Sequence, residues 1–490
     1  MTTKIEAVLE QRSDIHIIGA PTLSGIEQGL DNAFRSPKER ISLSPGGIQL
    51  YASTIASTTL QPLVIRNGWY DLSSLTYSMD VRVVNHATAG TDKQPADYDG
   101  LAAAPLTHIA LQNGGQLFNQ FGEITISLCN NTVWSSKYGW IWDMISKLTA
   151  STEATNSINL IEGYTPDVDV ADSRLTANSG YGARANMIRG TIATATAVPV
   201  RFTGRVNIPF FAGNKRLVYL RDADDFRVSI TINDSASTEC LELGAAAVAG
   251  RVIDILSFEI DKYHPSAVIE KGLIEVMQKI PQTLSYQDTK IFTTQVKAAT
   301  NDSFVVTLPK GKIDAIIVGF QLPAAVNKRQ FTPCNIETIQ VDHNSQLVPR
   351  IPYKPNYALP KQQKWFSAYL DFMRGMGELA DNSSAILTPA MWLASQTLYF
   401  FDLRTNNSGV PEKASIAEDG RRSDTVTINT TYTAATTANM YVLVMSAGQI
   451  KYYIADGSME YMQGCAMRNV RCTPGDAMCC IDITIFFYLN

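Results

Sequence analysis

Charged residues are scarce in this chain of 490 residues. Asp, Glu, Lys and Arg make up 18% of it, against about 25% in an average globular domain. The 41 basic and 46 acidic side chains leave a formal net charge of −5, and no run of Lys or Arg exceeds two residues. A protein that neutralises phosphates needs a concentrated cationic surface. We therefore expect no direct nucleic-acid binding.

Long apolar runs are also missing. The first residues, MTTKIEAVLEQRSDIHIIG, lack the uninterrupted apolar segment of a secretory signal. No stretch of about 20 apolar residues predicts a transmembrane helix. The cysteines are few and odd in number, which does not favour a fully paired secreted framework: Cys129, Cys240, Cys334, Cys465, Cys472, Cys479 and Cys480. We expect synthesis inside a cell.

Sequence motifs for catalysis or metal binding are equally scarce. The last four cysteines contain no CxxC pair, which favours reduced thiols over a metal site. The five histidines form no HExxH pair, and neither a GxSxG turn nor a phosphate-binding GxxxxGK[ST] loop occurs. The segment Gly180-Tyr-Gly-Ala-Arg-Ala185 imitates a dinucleotide fingerprint but follows a loop. We predict no catalytic residue, no cofactor, no metal site and no enzymatic activity.

Two acidic groups could supply oxygen ligands for calcium. They are Asp167, Asp169 and Asp172, and Asp222, Asp224 and Asp225. Because the glycine and the distal glutamate of an EF-hand loop are absent, we interpret both groups as solvated acidic turns.

Alternation of apolar and polar residues is the dominant pattern of the chain. From Leu75 to Val83 the large apolar residues occupy every second position, as expected for a half-buried strand. The same alternation or β-rich composition predicts strands at residues 122–128, 226–232, 303–308, 312–320, 396–403, 424–432, 440–446 and 481–488. The protein is predicted to be mainly β.

A few segments have helical spacing instead. Two of them match each other, each following one group of strands and preceding another: Trp134, Tyr138, Ile141 and Ile145; and Trp365, Tyr369, Phe372 and Met376. They are either unrelated amphipathic helices or the mark of a duplicated unit. A third stripe, from Ile269 through Leu273 and Val276 to Ile280, ends at Pro281, which favours an extended residue before it. We place a domain boundary there.

The resulting division has five parts. We predict an N-terminal arm at 1–39, a first sandwich at 40–265, a linker helix at 266–281, a second sandwich at 282–458 and a C-terminal extension at 459–490. Two eight-stranded sandwiches built from Greek keys, with helices in their connections, fit this pattern.

Three stretches of this sequence resemble a known family. The first is Arg205-Val-Asn-Ile-Pro-Phe-Phe211 with the two strands that follow it, as far as Ile232. The second runs from Ile253 to His264 and continues into the link Leu273-Ile-Glu-Val-Met-Gln278. The third joins Tyr399-Phe-Phe-Asp-Leu403 to Ala438-Asn-Met-Tyr-Val-Leu-Val444. In this order and spacing they resemble the double jelly-roll major capsid proteins of icosahedral DNA viruses, a lineage of virophages, polinton-like viruses and nucleocytoplasmic large DNA viruses.

The resemblance implies two consecutive eight-stranded antiparallel jelly rolls with a few short helices in the connections. It also implies a capsid protein of the virion that forms homotrimeric, pseudo-hexagonal capsomers and then an icosahedral shell. Its expected partners are copies of itself, penton proteins and minor capsid proteins; contact with an internal membrane stays open. The low charge fraction suits extensive burial between subunits.

Two other classes share this composition. A carbohydrate-binding or carbohydrate-cleaving β-sandwich protein would have an exposed aromatic row beside a carboxylate pair, whose separation is a three-dimensional quantity. A trimeric fibre or spike protein would have short repeats or a coiled-coil stalk, and the sequence contains neither.

Overall fold

A computed structural model describes the residues that form the body of the protein. They are 37–43, 62–85, 109–112, 117–150, 161–168, 180–184, 187, 199–212, 217–232, 240–243, 249–308, 313–323, 328–357, 360, 363–376, 386–403, 424–463 and 468–470. The predicted strand at 481–488 lies outside these residues, as do the four cysteines from Cys465 onwards and Asp169 and Asp172.

Strands make up most of the described residues. They are β1 (Lys38–Leu43), β2 (Leu63–Ile65), β3 (Gly68–Asn85), β4 (Ile109–Leu111), β5 (Phe121–Leu128), β6 (Asn131–Ser136), β7 (Val200–Arg205), β8 (Leu217–Leu220), β9 (Phe226–Ile232), β10 (Leu241–Leu243), β11 (Ala249–Tyr263), β12 (Gln282–Leu308), β13 (Ala315–Gln321), β14 (Ile336–His343), β15 (Gln346–Tyr353), β16 (Leu398–Asp402), β17 (Asp424–Tyr452), β18 (Met459–Gln463) and β19 (Arg468–Val470).

Helices in the described part of the chain are short and lie between strands. They are α1 (Leu117–Gln120), α2 (Gly139–Leu148), α3 (Pro209–Ala212), α4 (Ala267–Met277), α5 (Phe366–Gly375) and α6 (Pro389–Ala394). None of these described helices is long and apolar enough to cross a membrane.

The first sandwich consists of two antiparallel sheets. One has the order β1-β11-β3-β7, with β8 also paired to β3, and the other has the order β2-β9-β5-β6. Alternation explains the packing: Ile124, Ile126 and Leu128 are fully buried between the sheets, whereas Thr125 and Ser127 face outwards. Each such side chain contributes about 1.5–3 kcal/mol through burial.

The second sandwich uses two long strands that each belong to both of its sheets. Residues 282–296 of β12 pair with residues 438–452 of β17, and residues 301–308 pair with residues 424–431. Register shifts around Ala299 interrupt the ladder, and Ala298 has a φ of 44°. Bulges of this kind let a strand bend from one sheet into the other. The strands predicted at 424–432 and 440–446 are therefore one continuous strand.

The two sandwiches have the same strand order. In the second, one sheet runs β12-β17-β13-β16 and the other β12-β17-β14-β15. The correspondence follows chain order. The strands β1 and β2 correspond to the two halves of β12, and β9 and β11 correspond to the two halves of β17. Between them, β3, β5, β6 and β7 correspond to β13, β14, β15 and β16. This confirms the predicted fold class, two consecutive eight-stranded antiparallel jelly rolls.

The connections repeat as well. A two-residue turn with positive φ joins β5 to β6 at Cys129 and Asn130, and another joins β14 to β15 at Asn344 and Ser345, as tight hairpins require. In each sandwich a helix of ten residues follows this hairpin, namely α2 and α5. The duplicated unit inferred from the helical spacing is therefore present.

The predicted helix boundaries were partly wrong. Trp134 pairs with Ile126 in the hairpin β5–β6 and is part of a strand, because the hairpin extends to Ser136. Tyr138 and Trp365 are the residues just before α2 and α5. In the linker helix α4, Leu273 and Met277 are buried, whereas Val276, which was predicted to be on the apolar face, is 37% exposed.

Candidate functional site

The two sandwiches pack against each other in the described part of the chain. The centre of this contact is aromatic. Trp140, in the first turn of α2, stacks on Phe331 of the second sandwich with ring centroids 5.6 Å apart and planes inclined by 18°. Tyr138 meets Tyr441 edge to face at 5.6 Å, and the Arg329 guanidinium lies 4.6 Å from the centre of the Trp140 ring. Such contacts add to the stabilisation from burial alone.

A glycine makes this packing possible on the second sandwich. Gly319 lies in β13 between Tyr441 of β17 and Leu398 of β16. A Cβ there would lie 2.7 Å from the Phe331 ring. Because Phe320, the next residue, packs against Tyr432 inside the sandwich, Gly319 faces the other way. The outer face of this sheet is thus covered by Phe331 and, beyond it, by Trp140 of the first sandwich.

Polar contacts extend the interface on either side of the aromatic centre. The backbone N–H groups of Ile386 and Leu387 donate to the carbonyls of Ala150 and Leu148, at 3.2 and 3.0 Å. The Ser395 hydroxyl donates to the Asp167 carbonyl at 3.0 Å. These bonds satisfy buried groups and fix the register between the sandwiches.

At the other end, long strands of the second sandwich contact the first. The Gln282 side-chain amide donates to the Leu217 carbonyl at 2.6 Å. The Tyr452 hydroxyl donates to Asp224, which also accepts from Arg221. Burial, followed by the hydrogen bond to Asp224, raises the pKa of Tyr452. Tyr452 therefore stays protonated and holds the second sandwich to this carboxylate.

A buried ionic cluster joins three separate segments of the first sandwich. Arg184 is fully buried and donates to Asp167 and to Glu242, both at 2.6 Å. Burial alone would lower the pKa of Arg184, but the two carboxylates raise it. Residues 180–184, whose sequence imitates a dinucleotide fingerprint, form a short helical segment. Arg184 is the last residue of this segment. Removing one member would leave an uncompensated buried charge.

A second buried cluster anchors the end of α2. Lys147 contacts Asp143 at 2.8 Å and also pairs with Glu162. Burial opposes the charge of Lys147, but the two carboxylates raise its pKa. Burial raises the pKa of Glu162. Asn207 donates to Asp143 at 3.1 Å, so that this helix is tied to the strand region after β7.

The acidic residues singled out in the sequence are mostly buried and paired. Asp167 and Asp224 belong to the contacts above, and Asp225 accepts from Arg66 at 3.1 Å and from Arg227. Only Asp222 among the described members is exposed. The interpretation as solvated acidic turns was therefore wrong for three of them. Sequence reasoning missed that Arg184 joins Asp167 to Glu242, because Arg184 and Glu242 are 58 residues apart and no local pattern links them. Arg221 and Arg227, which pair with Asp224 and Asp225, are only three and two residues away.

The described histidine at the β14–β15 turn is a structural residue. His343 Nε2 lies 2.7 Å from Asp424, which also accepts from the Ile313 N–H at 2.8 Å. Burial works to raise the pKa of Asp424, but the hydrogen bonds from His343, Ile313 and Asn344 hold it below its ordinary value. The pair ties this turn to the start of β17. The Cys334 thiol is buried, and this burial raises its pKa to about 11.

The outer faces of the sandwiches are of two kinds. On the sheet β2-β9-β5-β6 and its counterpart in the second sandwich, hydroxyl side chains such as Thr125, Ser135 and Ser303 prevail. A depression of about 380 Å³ on the latter is lined by Asn301, Asp302, Ser303, Thr338, Gln340, Pro352, Asn429, Thr430 and Thr431. The outer face of β1-β11-β3-β7 instead has ion pairs, including Arg40 with Glu259 and Arg201 with Asp80, both at 2.6 Å.

Comparison with solved structures identifies the fold. No protein-family model and no curated protein matches this chain. A chain from the cryo-EM structure of the Sputnik virophage matches with a TM-score of 0.54 at 9% identity, over 96% of this chain and 95% of that one. The mavirus major capsid protein matches with a TM-score of 0.42 at 11% identity, over 95% and 94%. VP54 of PBCV-1, fitted into a Sputnik reconstruction, matches with 0.45 at 10%, over 86% and 97%.

These matched structures are double jelly-roll major capsid proteins. The Sputnik match covers nearly the whole of both chains, so it includes both sandwiches and the linker between them. The chain has the double jelly-roll fold, and the two sandwiches are hereafter called the first and second jelly rolls.

Proposed function

We propose that this protein is the major capsid protein of an icosahedral DNA virus and is located in the capsid of the virion. The observation that carries the proposal is the duplication: two jelly rolls of identical strand order, with a helix at the same point of each. A chain with two similar halves gives a ring of three chains six similar edges. The fold shared with the Sputnik virophage chain supports the same role.

The proposed mechanism is geometric. Three copies associate into a pseudo-hexagonal capsomer, capsomers tile the shell through the sides of the rolls, and penton and minor capsid proteins complete it. The buried aromatic contact centred on Trp140 supports this role, because a capsomer that keeps its shape needs rolls that hold each other in place. We also propose that the chain is divided as predicted from the sequence, into an N-terminal arm, a first roll, a linker helix, a second roll and a C-terminal extension. The described strands of the two rolls lie on either side of α4, which supports this division.

We also propose that the protein is not an enzyme and binds no cofactor. The buried carboxylates of Glu162, Asp225, Glu242 and Asp424 are engaged by arginine, lysine or histidine side chains, which leaves these four in structural roles. Of the aromatic side chains whose burial is described, Phe366 alone is exposed, so nothing in this part of the chain favours the carbohydrate-binding alternative.

Light scattering of the purified protein tests the proposal. We expect a homotrimer over a wide range of concentrations, because three chains of two similar rolls each make the proposed pseudo-hexagonal ring. A stable monomer throughout that range, with intact β structure by circular dichroism, would contradict the capsomer.

A further inference from the structure

One amine and two carboxyl groups meet in the buried cluster between α2 and the segment 161–164. Lys147 Nζ lies 2.8 Å from Asp143 Oδ2 on the same helix and also contacts Glu162 Oε2. Lys147, Asp143 and Glu162 are only 6%, 4% and 2% exposed, so all three groups are shielded from water. The cluster differs from a simple ion pair because it contains one carboxyl group more than the charge of Lys147 requires.

Strand β7 holds the Glu162 carboxyl group in a fixed orientation. Its Oε1 accepts a hydrogen bond from the Arg205 N–H at 3.2 Å. Gly204 leaves room for the carboxyl group, because a Cβ at this position would overlap it. The other oxygen, Oε2, is the one that contacts Lys147. The backbone thus holds one oxygen of Glu162 and leaves the other against the amine.

Burial makes the charged forms of these groups costly. Burial raises the pKa of Glu162. The neighbouring phenols of Tyr77 and Tyr164 stay neutral, because burial and then the nearby carboxylates raise their pKa values. Burial acts to lower the pKa of Lys147, but the charges of Asp143 and Glu162 raise it. A neutral cluster therefore consists of a Lys147–Asp143 ion pair beside a protonated Glu162, which no longer helps to hold the proton of the amine.

We propose that Lys147 and Glu162 form an isopeptide bond in the folded chain. Lys147 Nζ gives one proton to Asp143 and attacks Glu162 Cδ, so that a C–N bond forms. Glu162 Oε1, which the Arg205 N–H holds, takes the negative charge of the tetrahedral intermediate. A second amine proton passes to the Oε2 hydroxyl group, and the C–O bond breaks as water leaves. The carbonyl group at Oε1 then forms again, and Asp143 keeps the first proton.

The reaction replaces two buried charges with neutral groups. An ion pair and a carboxylic acid become an amide, a water molecule and a protonated Asp143, so that atoms and charge balance. An amine in contact with a carboxyl oxygen is one bond from the carbon that it attacks, close to the separation of about 3–3.5 Å of a near-attack arrangement. Reactants held in this way reach effective concentrations of about 10⁵–10⁸ M, and the exclusion of water opposes hydrolysis.

The bond has a structural role and forms once in each chain. It fastens the last turn of α2, whose first turn contains Trp140, to the segment that precedes β7. This inference goes beyond the proposed capsid role and does not depend on it, because all the reacting groups belong to the first roll.

Mass spectrometry of the denatured full chain tests the bond. We expect a mass lower than the sequence mass by one water, and we expect trypsin not to cut after Lys147. Additional cleavage after Glu153 identifies the partner, since the fragments that contain Lys147 and Glu162 stay joined only if the amide links these two residues. Separation of the fragments would show that the lost water comes from elsewhere, such as an amide with Asp143, and would overturn the assignment. A folded chain of full mass that trypsin cuts after Lys147 would overturn the proposal, whatever the oligomeric state.

Variants distinguish the amide from the ion pairs. Lys147→Arg keeps the positive charge but cannot form this amide, so it should have its full sequence mass. Asp143→Asn removes the proton acceptor and should slow the formation of the bond about 10²-fold or more; formation at the rate of the wild type would contradict the role of Asp143. Lys38 and Asp261 are the matched control, because their ion pair of 3.0 Å leaves Lys38 58% exposed, and their peptides should be recovered unlinked. Circular dichroism verifies the fold of each variant, and the wild-type measurement does not depend on them.

Discussion

Replacing Trp140 by Ala probes how strongly the two jelly rolls hold each other. Trp140 is 3% exposed and contacts Phe331, Tyr441 and Arg329. Truncating a buried Trp or Phe to Ala typically costs about 3–5 kcal/mol. We expect a fall of about 4 kcal/mol in the free energy of unfolding. At about 2–4 °C per kcal/mol for a domain of this size, that fall lowers the Tm by about 8–16 °C.

Calorimetry and urea unfolding of the full chain measure this effect. Because Trp140 joins the rolls, Trp140→Ala should also separate the unfolding of the two rolls into distinct steps. Trp134→Ala is the matched control: Trp134 is 4% exposed but packs on Phe118 within the first roll, so the loss of stability should be similar without that separation. A change below about 1 kcal/mol for Trp140→Ala, with one cooperative transition, would refute this reasoning.

Three further predictions concern the buried polar groups. Arg184→Met should lower the free energy of unfolding by about 3–5 kcal/mol in urea titrations, because Asp167 and Glu242 remain buried without their cation. Neutralising both carboxylates in the same variant should recover part of the lost stability. The folded pKa of Asp424 is depressed, so its stabilising contribution is present above about pH 3.9 and is lost as the pH falls through the folded value. The stability difference between wild type and Asp424→Asn should therefore shrink in acid; a constant difference would count against it. Cys334, whose pKa is raised to about 11, should react with a thiol reagent at pH 8 only after unfolding. More labelling of the folded wild type than of folded Cys334→Ser would contradict its burial.

The fold was predictable where the pattern is local. Period-two alternation located the strands around Leu75–Val83 and at 226–232, and helical spacing located α5 and the linker helix that ends before Pro281. The duplication was predicted from the matching helical spacing of two segments, and in the structure both ten-residue helices follow a hairpin with a two-residue turn.

Other features depend on contacts between distant residues. The spacing of Trp134 fits a helix, but its backbone pairs with Ile126, and this pairing decides its conformation. No turn former separates the two parts of β17, because the strand bends between sheets through a bulge opposite Ala299. The buried partners of Arg184 come from two separate segments. Composition alone could not indicate that these acidic residues are buried.

Electron microscopy of the purified protein tests the central proposal most directly. If the two equivalent rolls of each chain repeat around a ring, the particles will contain three chains and have a hexagonal outline with six similar lobes. Monomers of two lobes, or rings with another number of chains, would contradict the proposal that this protein builds the shell of a virus.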